Sequence, residues 1–212
     1  MNFEAARADL IDYLRTKIED EQVLEAMSLV PRERFVPPEE KHLAYEDRPL
    51  PIGMGQTISQ PYIVAMMTSL LELSGKEKVL EVGTGSGYQT AVLAELAKLV
   101  ITVERLPALA EAARKTLDGL GYKNIRVRLA EPTIGWQLDA PYDAIMVTAG
   151  APKVPDSLLS QLAIGGRMVI PVGQRYEQDL YKITRGEDRN IVENLGGCRF
   201  VSLIGEDAWD SE

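Results

Sequence analysis

Residues 79–96 read VLEVGTGSGYQTAVLAEL, and residues 100–107 read VITVERLP. In the first stretch a short apolar strand runs into Gly83, Gly85 and Gly87 and then into a helical pattern; in the second a strand ends on Glu104. Glycines admit a ligand where a Cβ would collide, and a carboxylate at the tip of the next strand can accept hydrogen bonds from a ribose diol. The two stretches together predict a strand–helix–strand crossover that holds a nucleoside-containing cofactor.

The same alternation continues outward. Strand patterns fall at 78–82, 100–104, 125–129, 143–148 and 167–172, with helical patterns at 87–98, 107–120 and 155–162. Strand, helix, strand in this order predicts an α/β fold, a doubly wound and mostly parallel sheet with helices on both faces. After Pro171, residues 178–185 and 198–204 read as strands with a polar turn around Gly186 to Arg189 and a short stretch between, which predicts an antiparallel pair at the sheet edge. In such a sheet the ligand sits over the carboxyl ends of the strands. Gly83 to Gly87, Glu104, the loop after Leu129 and the loop after Thr148 then surround one crevice.

Toward the N-terminus, Phe3, Leu10, Ile11, Leu14 and Ile18 recur at helical spacing. Asp20 is placed to cap a second helix with the apolar stripe Val23, Leu24, Met27 and Val30. These helices form an N-terminal addition that packs on the core. Pro31, Pro37, Pro38, Pro49 and Pro51 then interrupt regular structure, so 31–59 reads as a long, largely irregular segment, and a helix resumes from Gln60 to about Leu73. A loop of that length inside a compact domain usually carries function. One domain is expected over 1–212: helices and a substrate-side loop at 1–59, a cofactor-binding core at 60–173, and edge strands with a tail at 174–212.

Composition bounds the rest. At 45% hydrophobic and 26% charged residues, the chain can bury a core and is not disordered as its main state. A net charge of -9 opposes non-specific binding to nucleic acid, whose phosphates it would repel. Cys198 is the only cysteine, so no intramolecular disulfide can form, and a reducing, cytoplasmic setting is expected. The first helix mixes charges among its apolar positions, unlike a signal sequence, and no apolar run is long enough to span a membrane.

A dinucleotide fingerprint places its third glycine where this chain has Tyr88. The G-x-G-x-G form at Gly83, Gly85 and Gly87, preceded by Glu81, resembles instead the first motif of the class I S-adenosylmethionine methyltransferases. AYEDRPLPIGMGQTISQPY at 44–62 is not needed by the crossover. With PRERFVPPE at 31–39, MVTAGAP at 146–152, GGRMVIPVG at 165–173 and RFVSLIG at 199–205, it closely resembles the protein-L-isoaspartate O-methyltransferase family, from about residue 22 to 205.

The resemblance implies methyl transfer from S-adenosylmethionine to the free α-carboxylate of L-isoaspartyl residues in damaged proteins or peptides. The methyl ester then closes to a succinimide, whose hydrolysis returns part of the material to aspartate. It implies Ser59, the serine of T-I-S, as the active-site residue that donates to the acceptor carboxylate. It further implies cofactor contacts from Thr57, Gly83, Thr84, Gly85, Ser86, Gly87, Glu104, Arg105 and Glu131. A carboxylate with a pKa of ~4 is already ionised at neutral pH, so the nucleophile requires no general base, and alignment should dominate. No metal is expected in this chemistry. Read locally, Thr57 and Ser59 could equally form a turn and cap the helix near Pro61.

The chain departs from the family after the third strand, where G-D-G-T-x-G-W is common and Ala130-Glu131-Pro132-Thr133-Ile134-Gly135-Trp136 stands here. Glu131 adds a methylene and Pro132 has no N–H to donate, although Glu131 is still expected near the adenine. A class I methyltransferase acting on another carboxylate, a nicotinamide-dependent oxidoreductase, and a non-catalytic relative with weakened cofactor binding stay open as alternatives. Of the remaining residues, His42 is expected to be structural or exposed, Tyr88, Trp136 and Tyr142 to pack, Cys198 to be a small buried residue, and Asp47 to pair with Arg48.

Overall fold

A seven-stranded sheet carries the chain, as the strand and helix periods require. The structure, a computed structural model, describes residues 2–210; Met1, Ser211 and Glu212 lie outside the described residues. In chain order the elements are α1 (Phe3–Arg15), α2 (Glu21–Leu29), β1 (Leu50–Gly53), β2 (Gln56–Ile58), α3 (Pro61–Ser69), β3 (Lys78–Val82), α4 (Tyr88–Leu96), β4 (Leu99–Glu104) and α5 (Pro107–Gly119). They continue as β5 (Ile125–Leu129), β6 (Tyr142–Val147), α6 (Asp156–Gln161), β7 (Leu162–Gln174), β8 (Glu177–Thr184) and β9 (Ile191–Cys198).

The sheet runs β5-β4-β3-β6-β7-β8-β9. Strands β5 to β7 are parallel, while β8 and β9 add antiparallel at one edge. The chain moves outward from β3 through β4 to β5 and then returns to β6 on the other side of β3. That reversal opens a crevice at the carboxyl end of β3.

Both faces of the central strands are buried, which is why they read as nearly continuous apolar runs. Val79, Val100, Ala144 and Met146 pack against Met67 and Leu71 of the α3 region and Leu93 of α4. On the opposite face Leu80, Ile101, Ile145 and Met168 pack against Leu158 of α6. Helices α1 and α2 form an outer layer through Leu10, Leu14, Leu24 and Met27, which cluster with Ala91 and Val92 of α4. Asp20 accepts the Val23 N–H at 3.2 Å and starts α2 as its position foretold. Among the described residues no helix is long and apolar enough to cross a membrane.

Four boundaries differ from the sequence reading, one being β7, which starts at Leu162 and runs to Gln174 where 167–172 was expected. The 31–59 segment is less irregular than its prolines suggest, holding short 3-10 turns at 32–34 and 38–43 and the antiparallel hairpin β1–β2 turning at Met54. Helix α3 stops at Ser69, well short of Leu73, where Arg167 donates to the Leu71 carbonyl at 2.7 Å and the Glu72 carbonyl at 3.1 Å. The strand expected at 198–204 is a correction: the edge strand is β9, at 191–198. The apolar run that follows buries Leu203 outside the ladder, and its backbone instead brackets Gly150, through Gly150 N–H to Val201 O at 2.7 Å and Leu203 N–H to Gly150 O at 2.9 Å. Hydrophobicity marked burial there, but the partner was a loop at the end of β6.

Candidate active site

At the carboxyl ends of β3, β4 and β5 a cavity opens, and every residue expected in the site except Gly87 lines it: Thr57, Ser59, Gly83, Thr84, Gly85, Ser86, Glu104, Arg105 and Glu131. Gly87 lies behind that wall, where a Cβ would meet Ala113 Cβ and Leu117 Cδ1, both at 3.3 Å; its place is helix packing. A wider groove adjoins the cavity, lined among others by Arg175, Tyr176, Arg199 and Phe200. Thr57, Ser59, Arg105 and Thr148 belong to both walls. The serine therefore stands where the two spaces meet.

The glycine loop is set by strand-end contacts. Gly83 adopts φ +101° and donates to Val103 O at 2.9 Å, while Thr148 at the end of β6 donates its hydroxyl to the Gly83 carbonyl at 2.6 Å. Gly85 adopts φ +53°, and a Cβ there would meet only Ile52 Cδ1, at 3.5 Å. Gly85 nonetheless lines the cavity. The Gly85 N–H donates to Glu104 Oε2 at 2.8 Å, and Leu106 N–H donates to Glu104 Oε1 at 2.9 Å. Glu104 is thus locked in place, with one lone pair left on each oxygen for hydroxyl donors in the cavity.

Beneath the loop lies Glu81, fully buried. Its Oε2 accepts from the hydroxyls of Thr102 at 2.6 Å and Thr90 at 2.5 Å, and the Thr84 and Thr102 hydroxyls lie 2.6 Å apart. Burial pushes the Glu81 carboxyl up to about 8, the nearby Glu104 charge adding to it and the two threonine hydroxyls opposing it.

Ser59 is half-buried, and its carbonyl accepts from Arg32 Nη2 at 2.7 Å. Among the described residues its hydroxyl makes no hydrogen bond within the chain. The helix-capping role that local sequence allowed for Thr57 and Ser59 is filled from elsewhere. Asp47 Oδ1 accepts the Tyr62 N–H at 2.8 Å, and Asp47 Oδ2 accepts from Gln60 Nε2 at 3.0 Å. Asp47 is accordingly not the partner of Arg48, which reaches Glu46 at 3.6 Å; an orphan N–H at the start of α3 is a better use of that carboxylate.

The loop after β5 keeps Glu131 exposed on the cavity wall. Its neighbours are clasped by the C-terminal segment: Glu206 N–H donates to Pro132 O at 3.0 Å, and Thr133 Oγ1 donates to Glu206 Oε2 at 3.0 Å. Thr148 and the 201–204 segment are cavity residues that sequence reasoning did not assign. Thr148 carried a signal in its place at the end of a parallel strand; the second segment carried the family resemblance but no sign of a place at the cavity, because it reads as a strand.

The other residues take bland places. His42 is exposed, Tyr142 is buried with its hydroxyl donating to Trp136 O at 2.6 Å, and Tyr88 packs edge-on against Phe35 at 5.6 Å. Cys198 is half-buried at the end of β9, and burial pushes its thiol up to about 11.

Comparison with known proteins matches this architecture. A family model described as protein-L-isoaspartate(D-aspartate) O-methyltransferase matches residues 5–208. The protein-L-isoaspartate O-methyltransferase of Geobacter metallireducens is 54% identical over 215 residues, covering 100% of each chain. That of Syntrophus aciditrophicus is 56% identical over 212 residues, covering 98% of this chain and 97% of its own. A solved protein-L-isoaspartate O-methyltransferase superposes with a TM-score of 0.86 at 27% identity, covering 95% of this chain and 67% of the other. A putative protein-L-isoaspartate O-methyltransferase from Plasmodium falciparum, solved with S-adenosyl-L-homocysteine, gives a TM-score of 0.80 at 28% identity, covering 96% and 99%. The chain belongs to the protein-L-isoaspartate(D-aspartate) O-methyltransferase family.

Proposed function

We propose that the crevice methylates the α-carboxylate of L-isoaspartyl residues with Ser59 holding the acceptor, and that the observation carrying this is the place of Ser59 on the wall shared by cavity and groove, its hydroxyl uncommitted. Methylation of isoaspartyl residues for repair is the activity of the family, and its methyl donor is S-adenosylmethionine.

The residues present fit that donor. The cavity wall formed by Gly83, Thr84, Gly85 and Ser86 suits a ligand that must lie close to backbone, and the locked Glu104 carboxylate suits a ribose diol. Gly83, Thr84, Gly85 and Ser86 would hold the methionine half, Glu104 the ribose hydroxyls and Glu131 the adenine end, with Thr57 and Arg105 closing the remaining wall. The donor supplies a methyl group on a positively charged sulfur, reactive enough for direct displacement by a carboxylate.

What remains for the chain is alignment. The acceptor carboxylate enters from the wider groove already ionised, so no side chain has to remove a proton. The Ser59 hydroxyl donates to one of its oxygens and holds the other on the transfer line. Isoaspartyl-containing proteins and peptides are the proposed partners, and the groove beside Ser59 their proposed seat. A cytoplasmic location is proposed on the lone, half-buried Cys198.

The test supplies an isoaspartyl peptide and its normal aspartyl twin with methyl-labelled S-adenosylmethionine. Label on the isoaspartyl peptide alone is expected, and equal label on both peptides, or on neither, overturns the reading.

A further inference from the structure

Arg32 is fully buried, and among the described residues no carboxylate lies within ion-pair reach of it. Its Nε donates to the Ala44 carbonyl at 2.8 Å and its Nη2 to the Ser59 carbonyl at 2.7 Å, while Nη1 is buried without a partner. The guanidinium carbon lies 4.7 Å from the centre of the Tyr88 ring. Tyr88 is the first residue of α4, the helix that leaves the glycine loop.

A buried guanidinium without a carboxylate in ion-pair reach is a costly way to fill space, and an apolar side chain of similar volume would fill it without that cost. What an apolar side chain cannot do is hold two carbonyls at a fixed spacing, which a planar guanidinium does by its geometry. One of those carbonyls is that of Ser59, whose hydroxyl nothing else in the chain restrains. The other lies in the segment that carries Asp47, which caps the helix following Ser59. The guanidinium also stands over the Tyr88 ring, on the helix that follows the glycine loop. Arg32 therefore joins the acceptor side of the crevice to its donor side.

We propose that Arg32 is a positioning residue for methyl transfer, fixing the Ser59 backbone against the Tyr88 helix so that the serine hydroxyl meets the acceptor carboxylate on the transfer line. The proposal rests on the reading of Ser59 given above.

Arg32→Lys keeps the charge but cannot bond both carbonyls in the same geometry. Its affinity for S-adenosylhomocysteine, read by calorimetry, is expected within about threefold of the parent, while kcat with an isoaspartyl peptide falls by about tenfold or more, as small misplacements at a reacting centre do. In a Ser59→Ala background the same substitution is expected to change kcat by less than about threefold, because residues acting as a unit are not additive. An Arg32→Lys enzyme with parental kcat, whatever its thermal midpoint, overturns the proposal. So does a full loss repeated in the Ser59→Ala background. A Ser59→Ala enzyme with parental turnover instead brings down the reading of Ser59 and this proposal with it.

Should Arg32→Lys not fold, the parent protein decides by NMR of the Arg32 Nε–H. Slow exchange and a shift on adding the isoaspartyl peptide, without a shift on adding its aspartyl twin, supports the role; an unmoved resonance overturns it.

Discussion

The hydroxyl of Thr148 closes so tightly over Gly83 that a Cβ on the glycine would sit 2.3 Å from Thr148 Oγ1. Gly83 also holds φ +101°, a conformation that other residues adopt only under strain. Gly83→Ala must therefore either displace Thr148, which donates to the Gly83 carbonyl, or move the loop. A stability loss of about 1–3 kcal/mol is expected from the backbone strain, read by urea denaturation. Calorimetry with S-adenosylhomocysteine should show at least about a tenfold weaker complex, since a moved loop would reshape the cavity wall that Gly83, Thr84, Gly85 and Ser86 form.

Asp47 offers a test separate from the cofactor. It caps α3 from outside the helix, through Tyr62 N–H, fifteen residues along the chain. Asp47→Ala is expected to lower stability by about 1 kcal/mol, the usual worth of an N-cap. A fall in the urea midpoint with an unchanged m-value would show it. An unchanged midpoint would mean that water serves the Tyr62 amide equally well.

These two contacts mark how far the sequence alone could reach. The β3–α4–β4 crossover was legible because its strand run, glycine spacing and terminal Glu104 are local features whose physics does not depend on the rest of the fold. The helices α1 and α2 were legible for the same reason, through periodicity and the cap at Asp20. Asp47 was not: beside Arg48 it reads as half of an ion pair, and only folding brings it to Tyr62. Residues 199–205 misled in the opposite way, since their hydrophobic run signals burial but not whether a ladder or a loop provides it. Arg32 gave no sign of its place, because arginine in a polar, proline-rich stretch ordinarily lies in solvent.

Glu81 predicts a pH dependence. Its carboxyl is pushed from an ordinary 4.5 up to about 8, so between those values the folded chain keeps a proton that the unfolded chain has released. The unfolded state then binds fewer protons, and stability falls as pH rises. This contribution is complete below about pH 4.5 and is lost as the pH passes through about 8. Glu81→Gln holds a neutral group there at every pH. Urea denaturation of both proteins at several pH values should show the parent losing stability relative to the variant across that window. Parallel curves would place the Glu81 carboxyl in its ordinary range.

The proposed adenine end supplies the sharpest question about this chain, because Ala130-Glu131-Pro132 stands there in place of the expected G-D-G. Pro132 cannot donate a backbone hydrogen bond, and its carbonyl is taken by Glu206 N–H at 3.0 Å. Glu131 lines the cavity and is exposed, so its carboxylate is a charged group on this stretch that can meet a base edge. Glu131→Ala should then weaken S-adenosylhomocysteine binding by about tenfold, a charge-assisted hydrogen bond being worth about 1.5–3 kcal/mol before solvent competition reduces it. The kcat for an isoaspartyl peptide at saturating cofactor should stay near the parent value, because Glu131 lines the cavity but not the wider groove that Ser59 shares. A loss confined to cofactor affinity assigns adenine recognition to Glu131. Parental affinity would instead leave the base to the backbone and shape of the clasped 130–135 stretch, and the longer acid would be no replacement for the aspartate expected there.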